Sequence, residues 1–179
     1  QRLSLREDIE ILEIDPGKRK DEQERKKLMN EADLVFLCLP DDAAIKAVSL
    51  IENEHTKVID ASTAHRTLDS WVYGMPELNE EQRQKIKTQR WIANPGCHAT
   101  GFILGVYPLV QNGAIKANQN IVCFSLTGYS GGGKKMIEQY EKNKTSDLMA
   151  PRIYGLNQMH KHLPEMQKSP GSNKKLILS

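Results

Sequence analysis

A cysteine that directly follows a proline-glycine turn is the residue in this chain best placed to act as a nucleophile. Cys97 ends the run Asn94-Pro95-Gly96-Cys97, just before the apolar segment 102–110. Pro95 and Gly96 predict a tight turn from a strand into a helix. The N–H groups at a helix N-terminus favour the thiolate, which is the nucleophilic form of cysteine. The competing interpretation is a buried cysteine that only fills space.

The other two cysteines lie in apolar runs without such a turn. Cys38 stands within residues 34–39 and Cys123 within residues 121–124. Both runs predict buried strands, in which cysteine behaves as a small hydrophobe. The three cysteines form no CxxC pair and have no repeated spacing, which argues against a disulfide framework or a zinc knuckle. A reducing, cytoplasmic setting follows from this pattern.

A thiolate nucleophile needs an acid or base within reach, and histidine is the usual one. His160 and His162 stand close to Glu165 in a dense group of titratable residues, so one of the two is expected to approach the cysteine. His55 lies in a polar loop and is expected to be solvated. His98 adjoins the cysteine, but sequence neighbours at a helix start point in different directions. Metal binding by the histidine pair lacks a convincing third ligand, so no metal site is predicted.

Strand and helix patterns alternate in the first half of the chain. Apolar strands are predicted at residues 9–14, 34–39, 57–60 and 91–93. A helix, or a loop plus helix, is predicted at residues 18–30, and a helix at residues 43–51. This alternation predicts a doubly wound, Rossmann-like parallel sheet. Ligands bind such sheets at the carboxyl ends of the strands. The turns 15–17, 40–42, 61–63 and 94–97 are therefore expected to meet at one edge.

The first strand and the glycine-rich loop that normally begin a dinucleotide-binding sheet are missing from the sequence. Asp15 would end the second strand, where an acidic residue commonly meets the adenine ribose. Lys18, Arg19 and Lys20 follow at once and suit a 2′-phosphate, which favours NADP. The competing interpretation is that these basic residues only form the solvated start of a helix, which would have the same composition.

The second half of the chain has a different pattern. A longer strand is predicted at residues 119–127, and a glycine-rich turn at 128–135 precedes a helix. Such a turn lets backbone N–H groups approach an anion or cofactor, although a plain flexible loop is an equal alternative and the spacing is not that of a P-loop. We interpret residues 1–96 as an incomplete dinucleotide-binding domain and 97–168 as the start of an α+β substrate and dimerisation domain. Residues 169–179 are interpreted as a linker or disordered tail.

Composition restricts the possible partners. The chain has 179 residues, is 39% hydrophobic and carries a net charge of +2, which predicts neither nucleic acid nor membrane as a partner. No apolar run approaches the ~20 residues of a membrane span. The first residues lack the apolar core of a signal peptide.

Five motifs together carry a resemblance to a known family. In order, they occupy residues 60–66, 71–78, 94–97, 128–135 and 160–165. Through them the chain, from its start to about residue 168, resembles the N-acetyl-γ-glutamyl-phosphate reductase family of arginine biosynthesis, in its shorter form. Aspartate-β-semialdehyde dehydrogenase is similar in fold and chemistry, but it matches the 71–78 and 160–165 blocks poorly.

The resemblance implies an NADP-dependent oxidoreductase and a function for each motif residue. Cys97 would attack the acyl phosphate and expel phosphate, and hydride would reduce the thioester to N-acetylglutamate 5-semialdehyde. His160 corresponds to the acid/base and His162 to a substrate-orienting neighbour, although their roles could be exchanged. Dimers or tetramers are implied. Candidates to hold the substrate are Arg66, Asn94, Lys134 and His162, and candidates to border the cofactor are Asp15, Pro40, Ser62, Ser130 and Gly131.

Two other functions remain open at this point. A remnant of the enzyme could keep the fold without catalysis, as the missing glycine-rich loop suggests. A thiol hydrolase could use Cys97 and His160 without any cofactor. The loops at the strand ends favour the reductase over the hydrolase, because a hydrolase does not need a dinucleotide edge.

Overall fold

The computed structural model describes residues 3–116, 118–153, 157–168 and 177–178. The chain divides into two compact units, Gln1–Gly96 and Cys97–Ser179. Within the described residues, no helix has the length and apolar character needed to cross a membrane.

The first unit contains a four-stranded parallel sheet. Its strands are β1 (Leu34–Leu37), β2 (Lys57–Asp60), β3 (Val72–Tyr73) and β4 (Trp91–Ala93), in the order β1-β2-β4-β3. The register places Leu37 beside Asp60 and Asp60 beside Ala93, so that β1, β2 and β4 end level with one another. The predicted α/β architecture with a parallel sheet is confirmed.

Three α-helices alternate with these strands: α1 (Glu22–Glu31), α2 (Asp41–Ser49) and α3 (Glu80–Thr88). The first and third start at good side-chain caps, because Asp21 accepts from the N–H groups of Gln23 and Glu24, and Asn79 accepts from that of Gln82. Helices α1 and α2 match the predicted helical segments, whereas α3 and β3 were not predicted.

The core of this unit joins the sheet to α2. Leu37, Ala47 and Val58 are buried together, and Trp71 and Trp91 pack against them. Two large aromatic side chains therefore extend the core beyond the strands, toward the loop that follows β2.

The predicted strand at residues 9–14 is wrong. This segment is in no strand, and Ile11 and Leu12 are exposed. A strand is stable only when a neighbour supplies its ladder of hydrogen bonds, and β1 pairs only with β2 among the described residues. Asp15 consequently does not end a strand. It caps a short 3₁₀ helix, Pro16–Lys18, by accepting from the N–H of Gly17 at 2.7 Å.

The predicted burial of Cys38 is also wrong. β1 ends at Leu37, and Cys38 is exposed. Strand side chains alternate between two faces, and Leu34 and Phe36, which share the outer face, are 44% and 51% exposed. The continuous apolar run suggested burial on both faces, whereas the strand is buried on one.

In its described residues, the second unit contains three α-helices and a short parallel strand pair. These are α4 (Cys97–Gln111), β5 (Val122–Cys123), α5 (Gly133–Glu141), α6 (Leu163–Lys168) and β6 (Ile177–Leu178), with β5 beside β6. The strand predicted at residues 119–127 is thus only two residues long. Cys123, predicted to be buried, is half-buried. The predicted tail, 169–179, lies outside the described residues apart from β6.

Candidate active site

Cys97 is the first residue of α4, as the proline-glycine turn predicts. Its thiol is exposed and in no disulfide. An accessible sulfur therefore lies at the N-terminus of a 15-residue helix, a position that suits a nucleophile. Cys123 differs, because burial raises the pKa of its thiol and so disfavours the thiolate.

Three histidine rings of the second unit form one group, which we call the histidine cluster: His98, His160 and His162. The ring centroid of His98 lies 5.4 Å from that of His160 and 5.8 Å from that of His162. The rings of His160 and His162 meet edge to face at 4.6 Å. Ser125 Oγ is 2.8 Å from Nδ1 of His98 and anchors that ring. The residue next to the cysteine thus contacts both histidines of the 160–165 motif.

One hydrogen bond and burial determine the protonation of His160. The backbone N–H of His162 donates to Nδ1 of His160 at 3.2 Å, so that neutral His160 carries its proton on Nε2. Burial lowers the pKa of His160 below the usual 6.5, and the charges of His98 and Lys161 act in the same direction. His160 is therefore biased toward the neutral form, which can accept a proton near neutral pH.

His162 is more deeply placed than His160. It is 6% exposed, and its Nε2 lies 4.0 Å from Oε1 of the buried Glu165 in α6. No group of three or more histidine, cysteine or acidic side chains among the described residues is arranged to hold a metal ion. Within the cluster, a buried imidazole thus lies close to a buried carboxyl group.

Sequence reasoning missed His98 as a member of this group. A side chain adjacent to a nucleophile on a helix points away from it, and the motif alone does not show where it points. Only the packing of α4 against α6 brings His98 to the two other rings.

The loop after β2 contains a second concentration of polar contacts. Asp60 is fully buried and accepts from the N–H of Ser62 at 2.9 Å and from its hydroxyl at 2.5 Å. Nδ1 of His65 lies 2.6 Å from Oδ2 of Asp60. His65 stacks on Trp71 with 4.0 Å between ring centroids. We call these four residues, Asp60, Ser62, His65 and Trp71, the Asp60 network.

Arg66 connects this loop to the end of β4. Its Nε donates to the carbonyl of Asn94 at 2.8 Å, and its Nη2 donates to the carbonyl of Ala61 at 3.0 Å. The backbone N–H of Asn94 in turn donates to the carbonyl of Asp60 at 2.7 Å. Three of the predicted site residues, Ser62, Arg66 and Asn94, are thereby brought together at the carboxyl edge of the sheet.

The end of β1 is tied to the same loop through Asp41, in the first turn of α2. Asp41 accepts from the N–H of Thr63 at 2.8 Å and from its hydroxyl at 2.5 Å. Pro40 precedes it as the N-cap of α2. The predicted turns after β1, β2 and β4 therefore meet, as their level strand ends require.

The remaining predicted site residues lie in the glycine-rich turn of the second unit. Ser130 and Gly131 are exposed in the 3₁₀ helix Tyr129–Gly132, and Lys134 is exposed in the first turn of α5. A Cβ on Gly131 would come within 2.7 Å of Oγ1 of Thr127, so any larger residue would push that side chain away. Gly133, with φ at 74°, adopts a conformation that glycine tolerates best.

Two family models cover most of the chain. Residues 9–86 match the NAD-binding domain of semialdehyde dehydrogenases, and residues 97–177 match the semialdehyde dehydrogenase dimerisation domain. The chain belongs to the semialdehyde dehydrogenase family. In the sequence, the boundary between the NAD-binding and dimerisation domains thus falls between residues 86 and 97.

Curated relatives of this semialdehyde dehydrogenase family member are reductases. The chain is 48% identical over 176 residues to N-acetyl-gamma-glutamyl-phosphate reductase of Trichormus variabilis, covering 95% of the chain and 54% of that protein. It is 44% identical over 170 residues to N-acetyl-gamma-glutamyl-phosphate reductase 2 of Pseudomonas putida, with the same coverages. The chain spans about half the length of the curated relatives it matches.

Two solved structures share the fold of this chain. Aspartate semialdehyde dehydrogenase II from Vibrio cholerae superposes with a TM-score of 0.60 at 18% identity, over 84% of this chain and 50% of that one. The complex of that protein with ASA gives a TM-score of 0.62. At this identity the likeness supports the architecture alone.

Proposed function

We propose that this protein carries out the NADP-dependent reductive dephosphorylation of N-acetyl-γ-glutamyl phosphate to N-acetylglutamate 5-semialdehyde. The observation that carries the proposal is the exposed Cys97 at the start of α4, with His98 beside it in ring contact with His160 and His162. Identity of 43–48% to reductases of that name supports the choice of substrate.

Cys97 performs the acyl transfer in this proposal. Its thiolate attacks the carbonyl carbon, the bond from that carbon to the phosphate oxygen breaks, and phosphate leaves with the electron pair. The product is a thioester on Cys97, which divides one difficult displacement into two easier steps. When bound, the nicotinamide cofactor supplies the hydride that reduces this thioester.

His160 serves the proton transfer. In the reductive direction the imidazolium form donates its Nε2 proton to the oxygen that gains negative charge as the thioester is reduced. In the reverse direction the neutral ring accepts that proton at Nε2, which requires the tautomer with its proton on Nδ1 and the release of the hydrogen bond from the N–H of His162. Release of the aldehyde breaks the carbon–sulfur bond and returns the thiolate, while the hydroxyl proton returns to Nε2 of His160. His162, held beside Glu165, orients the substrate next to His160.

The anionic substrate requires fixed cations and donors. Three residues are proposed to bind phosphate or carboxylate groups of the substrate: Arg66 and Asn94 at the strand ends of the first unit, and Lys134 in the first turn of α5 in the second unit. Arg66 is the best prepared of these, because two backbone carbonyls already fix its guanidinium group.

The carboxyl edge of the sheet fits a nicotinamide cofactor. The level ends of β1, β2 and β4 are followed by Pro40, Ser62 and Asn94, which is where parallel sheets bind dinucleotides. The hydroxyl of Ser62 donates a hydrogen bond to Asp60. A ligand that contacts Oγ of Ser62 must therefore be a hydrogen-bond donor. In the second unit, Ser130 and Gly131 of the glycine-rich turn are proposed as further cofactor-binding residues.

NADP is proposed over NAD because of the charges around the 3₁₀ helix Pro16–Lys18. Asp15 shapes this turn, and Lys18, Arg19 and Lys20 are exposed beside it. Lys18 lies 3.5 Å from Glu24, a surface pair that a 2′-phosphate can displace easily.

An assay with the complete gene product tests this function. In the reverse direction, N-acetylglutamate 5-semialdehyde and inorganic phosphate should reduce NADP, with kcat/KM about 10-fold or more above that with NAD, since hydrogen bonds to a charged group contribute about 1.5–3 kcal/mol. Aspartate β-semialdehyde serves as the control substrate. Faster turnover of the control, or aldehyde-independent ester hydrolysis at Cys97, would refute the assignment.

A homo-oligomer is proposed as the functional form, located in the cytoplasm. Residues 97–177 match a dimerisation domain, and around β5 the side chains of Val122, Phe124 and Leu126 are 68%, 74% and 87% exposed. An apolar stripe of this kind suits burial against another copy. Light scattering of the complete gene product should give twice or four times the monomer mass, and Phe124→Glu should lower it. A monomer would contradict the proposal.

The free thiols of all three cysteines suit the reducing conditions of the cytoplasm, which supports the proposed location.

A further inference from the structure

The Asp60 network contains two buried titratable residues that the proposed mechanism does not use. Asp60 is 0% exposed and His65 is 5% exposed. Buried ionisable side chains need partners, because an uncompensated charge in the interior is costly. Both lie in the first unit, at the carboxyl end of β2, where the proposed cofactor and substrate residues begin.

The carboxylate of Asp60 is satisfied entirely by the loop that follows it. Oδ1 accepts from the N–H of Ser62, and Oδ2 accepts from the hydroxyl of Ser62 and from Nδ1 of His65. A carboxylate only accepts, so Nδ1 of His65 carries the proton and the ring is fixed in one tautomer. Three hydrogen bonds thus hold the loop in one conformation relative to β2.

Trp71 links this polar group to the hydrophobic core. Its ring is nearly parallel to that of His65, with an interplanar angle of 15°, and it also contacts Trp91 at 5.5 Å. Both tryptophans pack on the buried cluster formed by β1, β2 and α2. The orientation of His65 is therefore determined by the core, and that of the loop by His65.

The residues that this arrangement orients are the ones proposed to meet ligands. Ser62 is bonded to Asp60 directly, and Arg66 follows His65 in the chain and donates to the carbonyls of Ala61 and Asn94. A shift of about 1 Å in such groups can cost on the order of 100-fold in rate, because reacting groups must be held in a near-attack geometry.

We propose that Asp60 and His65 are positioning residues, which hold Ser62 and Arg66 in the arrangement that binds the nicotinamide cofactor and the phosphate of the acyl-phosphate substrate. The inference rests on the proposed function. Neither residue touches the reacting atoms in this proposal. The contribution of His65 is its Nδ1–H, and its ring stacking is secondary.

Two variants of His65 separate the hydrogen bond from the stacking. His65→Phe keeps a ring to stack on Trp71 but removes the donor to Asp60. His65→Asn removes the ring but keeps an N–H donor close to the position of Nδ1. His55→Phe is the matched control, because His55 is exposed in another loop.

The first measurement is amide hydrogen exchange in peptides that cover residues 61–66, with the complete gene product and no ligand. His65→Phe should accelerate exchange at Ser62 and Thr63 by about 10-fold or more, as loss of a hydrogen bond to a charged group implies. His65→Asn should restore most of the protection. Unchanged exchange in His65→Phe would overturn the proposal.

The second measurement is steady-state kinetics of aldehyde- and phosphate-dependent NADP reduction. His65→Phe should raise KM for phosphate and for NADP by about 10-fold while kcat falls less, and His65→Asn should recover the wild-type KM values. Faster exchange with unchanged KM values, or no recovery in His65→Asn, would reduce the network to a structural role and overturn the inference. A wild-type protein that lacks turnover would instead refute the proposed function, and that result is distinct because it does not depend on the variants.

Discussion

Replacement of Cys97 by serine is expected to lower the rate of phosphate-dependent NADP reduction by about 10⁴-fold or more, the order found when a catalytic nucleophile is removed. A hydroxyl is a far weaker nucleophile than a thiolate at neutral pH, and an oxygen ester releases its acyl group less readily. The same variant should bind NADPH as wild type does, because the sulfur serves acyl transfer. Fluorescence titration of NADPH and steady-state kinetics of the complete gene product measure the two effects.

Cys38→Ser provides the matched control for this experiment. Both thiols are exposed and in no disulfide, but Cys38 follows the edge strand β1 and lies outside the histidine cluster. Its replacement should leave kcat/KM intact and change the free energy of unfolding by less than about 0.5 kcal/mol, as is usual for a surface position. A Cys97→Ser protein with substantial turnover, or equal losses in both variants, would contradict the assignment of the nucleophile.

Replacement of His160 by glutamine is expected to lower kcat by about 10²–10⁴-fold, the usual contribution of a general acid or base. NADPH binding should again be retained. His55→Gln, at an exposed loop position, should have no effect and controls for the loss of an imidazole. A larger loss of kcat in His162→Gln than in His160→Gln would show that the two histidines have the opposite roles.

The lowered pKa of His160 predicts the pH dependence of the reverse reaction. There the imidazole must be neutral to accept a proton, so the acidic limb of the kcat profile should lie below pH 6.5. His98, Lys161 and His162 face this ring. Removing the positive neighbour in His98→Phe should raise the pKa of His160 and move the limb to higher pH. A limb that moves to lower pH would contradict this electrostatic argument.

The carboxyl edge of the sheet shows which parts of the site a local sequence pattern can predict. Short apolar segments at residues 34–37, 57–60 and 91–93 are strands because their side chains suit a parallel sheet, and the turns after them hold the polar residues. The parallel register then requires these turns to meet. Ser62 and Asn94 could be grouped from sequence for this reason. Arg66 could be assigned only through the family resemblance, and the hydrogen bonds of the Asp60 network could not be predicted.

Errors arose wherever burial depended on a neighbour that a local pattern does not specify. The run at residues 9–14 has strand composition but no ladder partner in the described structure, and Cys38 lies just beyond the end of β1, where it is exposed. Around Cys123 the same alternation leaves Val122 and Phe124 exposed. A hydrophobic sequence indicates that a residue can be buried, but tertiary packing decides which face of a strand is buried.

By itself, the sequence determined the parallel α/β sheet, the helix that begins at Cys97 and the chemical types available for a site. These follow from local rules: side-chain periodicity, the conformational limits of proline and glycine, and the order of the motifs. Only the tertiary structure decided that His98 joins His160 and His162, and that His65 bonds Asp60 while stacking on Trp71. Such contacts depend on how α4 packs against α6 and how a loop meets the core, because side chains distant in sequence become neighbours only through packing.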